Sequence, residues 1–458
     1  MTNQDLLTIL RVNTSDGRGG AAQNASSLHQ AFRMRGINDW LAVGYKLGSD
    51  PYTLPIHHDR AGDWWQRPFW RAERNIARRR FRGARWLRKS LLMAANPRRF
   101  NDWYQGYEDF RFPGTDHLLE MLDSTVDLLH LHNLHGDYFD LRELPRLTAQ
   151  VPTVMTLHDA WLLSGHCAHS LGCERWREGC GNCPDLTIYP AIRRDATADN
   201  WRRKHDIYAR SRYHIISPSQ WLADRVLASP LADGLQGMRV IANGIDLNIF
   251  QPQDRQQTRH KLGLPQNSRI LLMVANGLKT NPWKDFTTAR AAIELLAKKQ
   301  RKEPLLVILV GDSAPDEKLD GISIRSIPYV RDQNKLANFF QAADIFLNSS
   351  KIETFGRVIV EAMACAVPVV VTAVGGTPEL VIPYPEADVN KATGILVRSR
   401  DAEGMASAIV ALLDDDSLCH KLGQNAVRHA RSAFGFDRQV ERYLAYYADI
   451  MSDVQSHT

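Results

Sequence analysis

The chain has 458 residues, 44% of them hydrophobic and 24% charged, with a formal net charge of +6. That length exceeds what one ordinary core supports, so two domains are expected. The composition excludes a low-complexity or fibrous chain. The longest apolar run, 358–376, is broken by Glu361 and Pro368, which excludes a membrane span of the usual length. The opening MTNQDLLTIL has no basic region followed by an apolar stretch, so no secretory signal is read and a cytoplasmic location is expected.

In chain order, LLTILRV (6–12) reads as a buried strand, and GRGG (17–20) as a glycine-rich loop opening a helix. LAVGY (41–45) is a second strand. Segment 67–99 then carries twelve Lys and Arg against one acid, interleaved with Phe69, Trp70, Phe81 and Trp86. It fits a solvated helical face, a helix lying on anionic lipid, or a nucleic-acid patch. VDLLHLH (126–132), PTVMTLH (152–158) and YHIISPS (213–219) are further strands, with helical patterns over 135–150 and 219–229. Strands alternating with helices predict a parallel, doubly wound sheet.

Four of the six cysteines cluster as Cys167, Cys173, Cys180 and Cys183. Spaced thiols of this kind fit a structural zinc, and CGNCP has the form of a zinc knuckle. The first pair is looser than usual, so reduced or bridged thiols and an iron–sulfur site stay open, with His166 and His169 as substitute ligands. Cys365 and Cys419 sit in apolar helical contexts and are expected in the core.

After the hinge-like VIANGIDLNIFQPQD (240–254), the pattern restarts. RILLMVA (269–275), PLLVILVG (304–311), ISIRSIP (322–328), DIFLNSS (344–350) and VPVVVTA (367–373) alternate with helices near 285–299, 333–342 and 356–365. The last periodic helix, near 436–452, has no strand after it. The expected fold is therefore α/β: two Rossmann-like doubly wound domains, 1–240 and 255–432, facing each other across a cleft. Residues 433–458 would cross back to the first domain. The first domain would also carry the basic helical segment 64–104 and the Cys-rich loop 164–186. In such sheets ligands bind at the carboxyl ends of the strands.

ETFGRVIVE (353–361) falls at such an end. Glu353 lies in the loop after a strand, and Glu361 lies within the following helix, about five residues or roughly 7.5 Å further along. Between them, the N–H groups of Phe355, Gly356 and Arg357 offer a diphosphate site, while the carboxylates accept hydrogen bonds from sugar hydroxyls. A nucleotide sugar fits that arrangement. A glutamate early in a helix also simply favours the dipole, so the pair gains weight from its setting before the VGGTPE turn (374–379).

With these motifs the chain resembles the retaining GT-B glycosyltransferases of family 4, over essentially its whole length and most strongly across 240–395. The resemblance implies that Glu353 binds the donor hexose and Glu361 the ribose. It makes Lys279 and Lys284, in NGLKTNPWKDF, the pair that neutralises the leaving diphosphate, although the family has Arg where Lys279 stands. It places Gly19 and Gly20 near the donor phosphates and His158, in TLHDAW, near the reacting carbon. The catalytic set so implied is His158, Glu353 and Lys284. His132, Asn133 and His135 in HLHNLHG are candidates for the acceptor side, and the first domain becomes the acceptor-binding one.

HNLHG, TLHDAWLLSGHCA, CERW, CGNCP and PSQWLAD further resemble bacterial exopolysaccharide transferases of the colanic-acid type. That similarity implies a lipid-linked saccharide acceptor at the cytoplasmic face of the inner membrane, and it favours contact of the basic segment with anionic lipid over nucleic acid. No cofactor is expected for catalysis, and the only metal expected is the structural zinc. The activity implied is hexose transfer from a nucleotide-diphosphate sugar with retained configuration. Alternatives are a sugar-nucleotide epimerase or phosphorylase of the same fold, or a basic nucleic-acid-binding or scaffold protein built around the zinc loop.

Overall fold

The computed structural model describes residues 7–17, 19–77, 81, 83–299 and 303–457. Arg18 of GRGG and Arg78, Arg79, Arg80 and Arg82 of the basic segment lie outside them. The chain divides into two compact units. One comprises residues 1–218, 222–241 and 442–458; the other comprises 219–221 and 242–441.

In the first unit, β1 (Thr8–Ser15), β2 (Asn38–Tyr45), β3 (Thr53–Pro55), β4 (Leu128–Leu131), β5 (Thr153–Thr156), β6 (Tyr213–Ser217) and β7 (Leu235–Val240) form one sheet. Its order is β3-β2-β1-β4-β5-β6-β7, and every pairing is parallel. The second unit repeats the plan with β8 (Arg269–Val274), β9 (Leu305–Val310), β10 (Glu317–Leu319), β11 (Ile322–Ile327), β12 (Ile345–Asn348), β13 (Val369–Thr372) and β14 (Gly394–Val397). There the order is β10-β11-β9-β8-β12-β13-β14, with only β10 antiparallel, at the edge. Each sheet is thus Rossmann-like, and each reverses its strand order beside its first strand, between β1 and β4 or between β8 and β12. Ligand crevices of doubly wound sheets open at that reversal.

The strands are continuous apolar runs because helices cover both faces of a parallel sheet. In β8, Ile270 and Leu272 join one core while Leu271 and Met273 join the other. Arg11 in β1 breaks this rule, being fully buried in a strand of Ile9, Leu10 and Val12. Its guanidinium bonds Asp39 at 2.8 Å, lies 2.6 Å from His130 Nδ1 and 3.4 Å from Tyr447 Oη of the last helix, Phe436–His457. The Arg11 charge is raised in pKa: Asp39 and Tyr447 together outweigh the burial that opposes it. Tyr443 and Tyr447 are buried with this network, so the 442–457 part of that helix belongs to the first unit.

Several elements differ from the sequence reading. The helix expected over 135–150 starts late: Gly136 and Asp137 both have left-handed backbone, and only Leu141–Glu143 and Leu144–Gln150 are helical. Among the described residues, the basic segment 64–104 carries the helices Arg67–Ala77, Ala84–Ala95 and the start of Arg98–Gln105, and the short helix His58–Ala61 precedes it. Additional elements are β3, β7, β10, β14 and the helices Thr197–Tyr208, Arg255–Lys261, Ala402–Asp414 and Asp416–Ala433. β7 carries no apolar alternation because none of its residues is fully buried.

Candidate functional site

At the reversal of the second sheet, the loops after β8, β12 and β13 interlock. Ser349 Oγ donates to the carbonyls of Lys284 (2.8 Å) and Asp285 (3.1 Å), and Lys351 N–H donates to the Trp283 carbonyl at 2.8 Å. These bonds bring Lys284 to Glu353, and the two side chains form a short ion pair. Ser350 Oγ donates to the same Glu353 oxygen at 2.9 Å. Lys279 is placed differently. Its backbone N–H donates to Asp312 at 2.8 Å, and its ammonium lies 5.6 Å from the centroid of the Phe286 ring.

Glu353 is followed by Gly356, whose left-handed backbone precedes the helix Arg357–Ala364. The first N–H groups of that helix have no intrahelical acceptor and carry its positive dipole end. Phe355 contributes backbone only: its side chain is buried against Phe434, with ring centroids 5.9 Å apart. One turn into the helix, Arg357 Nε donates to Glu361 Oε1 at 3.0 Å. Glu361 is 5% exposed, and its other oxygen, Oε2, has no hydrogen-bond partner. Burial raises its pKa, against the opposing pull of Arg357. A buried carboxylate oxygen without a donor costs about 1–3 kcal/mol, which an incoming hydroxyl would recover.

The glycine turn after β13 was legible as a motif, but its role is visible only in the structure. Gly375 is left-handed, and a Cβ on it would stand 1.9 Å from the Glu353 carbonyl oxygen. Gly376 N–H donates to that oxygen at 2.9 Å. Ser349 and Ser350 are positioning residues that the sequence reading missed, the Ser-Ser at the end of DIFLNSS being their only signal, whereas the glycine pair was read as a turn without its contact to Glu353.

In the first unit, the loops after β1, β4 and β5 gather a second set. The helix Gly19–Met34 opens with left-handed Gly19, and a Cβ at Gly19 or Gly20 would meet nothing within 4 Å. His132 Nδ1 and His158 Nε2 lie 3.0 Å apart, with their rings stacked at 21°. Burial keeps these rings neutral. It holds His158 down at about 4, and it holds His132 well below the usual imidazole range, with His158 adding to the effect. His132 Nε2 is buried without a partner. His135 behaves oppositely: burial favours the neutral ring, but Asp159 at 2.7 Å outweighs it and raises the pKa. Asp159 in turn lies at about 2, because His135 overcomes the upward push of burial. The Asn133 carbonyl accepts from Tyr138 Oη (2.6 Å) and Thr14 Oγ1 (3.2 Å), which pins the loop.

Cys167, Cys173, Cys180 and Cys183 are free thiols of intermediate exposure. Gly165 N–H points at Cys180 Sγ (3.3 Å), and His166 Nε2 lies 3.4 Å from Cys183 Sγ. Among the described residues, no three His, Cys, Asp or Glu side chains converge on a point a metal would occupy. The zinc ligands expected from spacing are therefore near one another without forming a coordination set. Cys365 and Cys419 are buried, in the core.

Residues 254–429 match the family model described as glycosyl transferases group 1, and residues 95–249 match that of glycosyltransferase family 4. D-inositol 3-phosphate glycosyltransferase 1 of Catenulispora acidiphila is 35% identical over 217 residues, 44% of this chain and 50% of that protein. The chain spans about half the length of such curated relatives. A putative colanic acid biosynthesis glycosyl transferase, WcaC of Escherichia coli K12, is 26% identical over 390 residues, 80% of this chain and 83% of that one. Among solved structures, Anabaena HepE in complex with UDP-glucose aligns with a TM-score of 0.57 at 18% identity, covering 99% of this chain and 100% of that chain. At that identity the likeness establishes the GT-B fold.

The buried titratable groups make the first unit's stability depend on pH. Unfolded imidazoles protonate near 6.5, whereas folded His158 does so only at about 4. Between these values the unfolded chain binds more protons, so stability is complete above the upper value and falls as pH drops toward the lower. Urea unfolding followed across that window is expected to show the fall, and His158→Asn to shrink it. A stability independent of pH across the window would contradict neutral burial. Separately, burial pushes Cys167 up to about 11 and Cys180 up to about 12. Both thiols are expected to alkylate with iodoacetamide at neutral pH at least about tenfold more slowly in the native chain than in urea. Native rates that rise on adding a chelator would reveal a bound metal instead.

Proposed function

For a chain that carries a group 1 and a family 4 glycosyltransferase domain, we propose transfer of a hexose from a nucleotide-diphosphate sugar to a saccharide hydroxyl, with the anomeric configuration retained. The observation that carries this reading is Glu361: a buried carboxylate with one oxygen unpartnered, one turn beyond a helix N-terminus. Glu361 would accept from the ribose hydroxyls, the N–H groups at 355–357 would take the diphosphate, and Glu353 would take the hexose hydroxyls. HepE, which shares the fold, was solved with UDP-glucose, which supports a donor of this class.

Lys284 is paired with Glu353 and so stands beside the proposed diphosphate. On donor binding it would turn from the carboxylate to the leaving group, where positive charge and the helix N-terminus lower the barrier. In a front-face transfer the anomeric carbon–oxygen bond to the diphosphate breaks. The acceptor oxygen bonds the same face of that carbon, and its proton passes to the departing diphosphate. His158, neutral at physiological pH, is assigned to the reacting sugar as a hydrogen-bonding group rather than a charge. Gly19 and Gly20, with open space where side chains would be, would admit the substrate phosphates.

The acceptor is proposed to be a lipid-linked saccharide of exopolysaccharide assembly, on the similarity to WcaC. No helix among the described residues is long and apolar enough to cross a membrane. Contact is instead proposed through the helices of 64–104, where Trp64 is 82% and Trp86 69% exposed among Lys and Arg.

Purified protein offered a panel of uridine and guanosine diphosphate sugars is expected to bind one by calorimetry and release its nucleoside diphosphate when acceptors are supplied. Lys284→Ala should lower turnover about a hundredfold or more, and Glu361→Ala should weaken donor binding. Failure of every donor to bind or turn over would refute the reading. For the membrane contact, co-sedimentation with liposomes should rise with anionic lipid content and fall with salt. Binding indifferent to lipid charge would remove it.

A further inference from the structure

The first unit holds two cavities whose walls meet at His135. One, of about 280 Å³, lies beside the start of the Gly19–Met34 helix and is lined by Asn13, Ala21, Ala22, Tyr45, Arg88 and Asn133. The other, of about 150 Å³, lies on the far side of His135 and is lined by residues including Leu92, Met93, Arg99, Leu134 and Asp137. Neither is a product of the Rossmann-like sheet alone. The helix Ala84–Ala95 supplies a wall to both: Arg88 faces the first cavity, while Lys89, Leu92 and Met93, at i, i+3 and i+4, share the face that lines the second.

Each cavity presents polar groups whose bonding is incomplete. In the first, Asn13 is 1% exposed and its Oδ1 has no hydrogen-bond partner. In the second, Arg99 is 3% exposed and its Nε has none, although the guanidinium is ion-paired to Asp109 at 2.9 Å and lies over Phe112 at 4.8 Å. Asp137 borders the same cavity with exposed, left-handed backbone, following Gly136 in the same backbone region. Aspartate is one of the non-glycine residues that adopt this region most readily. The apolar walls of Leu92, Leu134 and Phe112 suit the C–H faces of a pyranose, while a buried N–H donor and a carboxylate suit its hydroxyls.

We infer that the second cavity is a subsite for a second sugar unit of the acceptor, so that the chain recognises an acceptor of at least two sugars. The first cavity, next to Gly19 and Gly20, would hold the accepting sugar, and His135 would stand between the two. This deepens the transferase reading and rests on it. The basic helical insert then serves two ends, since the helix Ala84–Ala95 would shape acceptor specificity while its exposed Trp86 and Leu87 face outward.

The test measures binding of alkyl glycosides carrying one or two hexoses to the full chain by saturation-transfer NMR, with donor binding measured by calorimetry on the same samples. At least one disaccharide is expected to bind about tenfold more tightly than its matching monosaccharide. Met93→Trp, which fills the second cavity, should abolish that difference while leaving donor affinity and monosaccharide binding unchanged. Asp137→Asn, which tolerates the left-handed backbone, should reduce the difference several-fold at unchanged melting temperature. A disaccharide preference that survives both variants, or no disaccharide preference anywhere in the panel, overturns the subsite. Donor binding reports separately on the transferase reading, so failure of one is distinguishable from failure of the other.

Discussion

The contact on which the second unit's candidate site depends is between backbones. The carbonyl of Glu353 accepts from Gly376 N–H, and Gly375 lies against it so closely that only a residue without Cβ fits. Thr372 Oγ1, at the end of β13, donates to the Ser350 carbonyl at 2.6 Å and ties the same two loops together one step earlier. The position of the Glu353 carboxylate is therefore set by the register of β12 against β13, where Asn348 faces Val371. Parallel strands packed on both faces do not slide, because a one-residue slip would exchange the two cores. Rigidity in the sheet becomes precision in the loop.

Given that frame, the electrostatics of the site follow from burial. Each carboxylate has a cation: Lys284 with Glu353, and Arg357 with Glu361. The pairs are not equivalent. Arg357 reaches its partner within one helix at i, i+4 and meets only one oxygen, so Glu361 stays partly unsatisfied. Lys284 comes from another loop, and Glu353 also accepts from Ser350. A diphosphate competes well for a lysine already near a helix N-terminus, and a hydroxyl competes for an oxygen that has nothing else. The same side chains that neutralise one another without ligand have the chemistry to separate around one.

Much of this was readable in the residues because parallel α/β folds write long apolar runs. β1, β2, β4, β5, β6, β8, β9, β11, β12 and β13 all stood out, and the spacing of Glu353 and Glu361 set them at a strand end and in the helix that follows. What escaped had weak local signal. β7 is half-exposed and polar, and β14 is a four-residue strand whose pairing with β13 no local pattern encodes. The direction of Lys279 was not readable, because spacing along a loop does not say which way a side chain turns. The cysteine spacing likewise said nothing of convergence, and the Gly375–Glu353 approach joins residues from two loops that no single motif contains.

The two units also show how one topology is given two chemistries. Both sheets reverse beside their first strand, between β1 and β4 and between β8 and β12, so each offers a crevice at the equivalent place. After β8 the chain supplies Lys284 against a carboxylate. After β1 it supplies two glycines whose Cβ positions are empty, and after β4 and β5 it supplies imidazoles kept neutral by burial. The proposed leaving group therefore meets a lysine and a helix N-terminus, whereas His132 and His158 stay neutral and His135 is balanced by Asp159. That separation suits a front-face transfer, in which the only group needing to take a proton is the diphosphate itself.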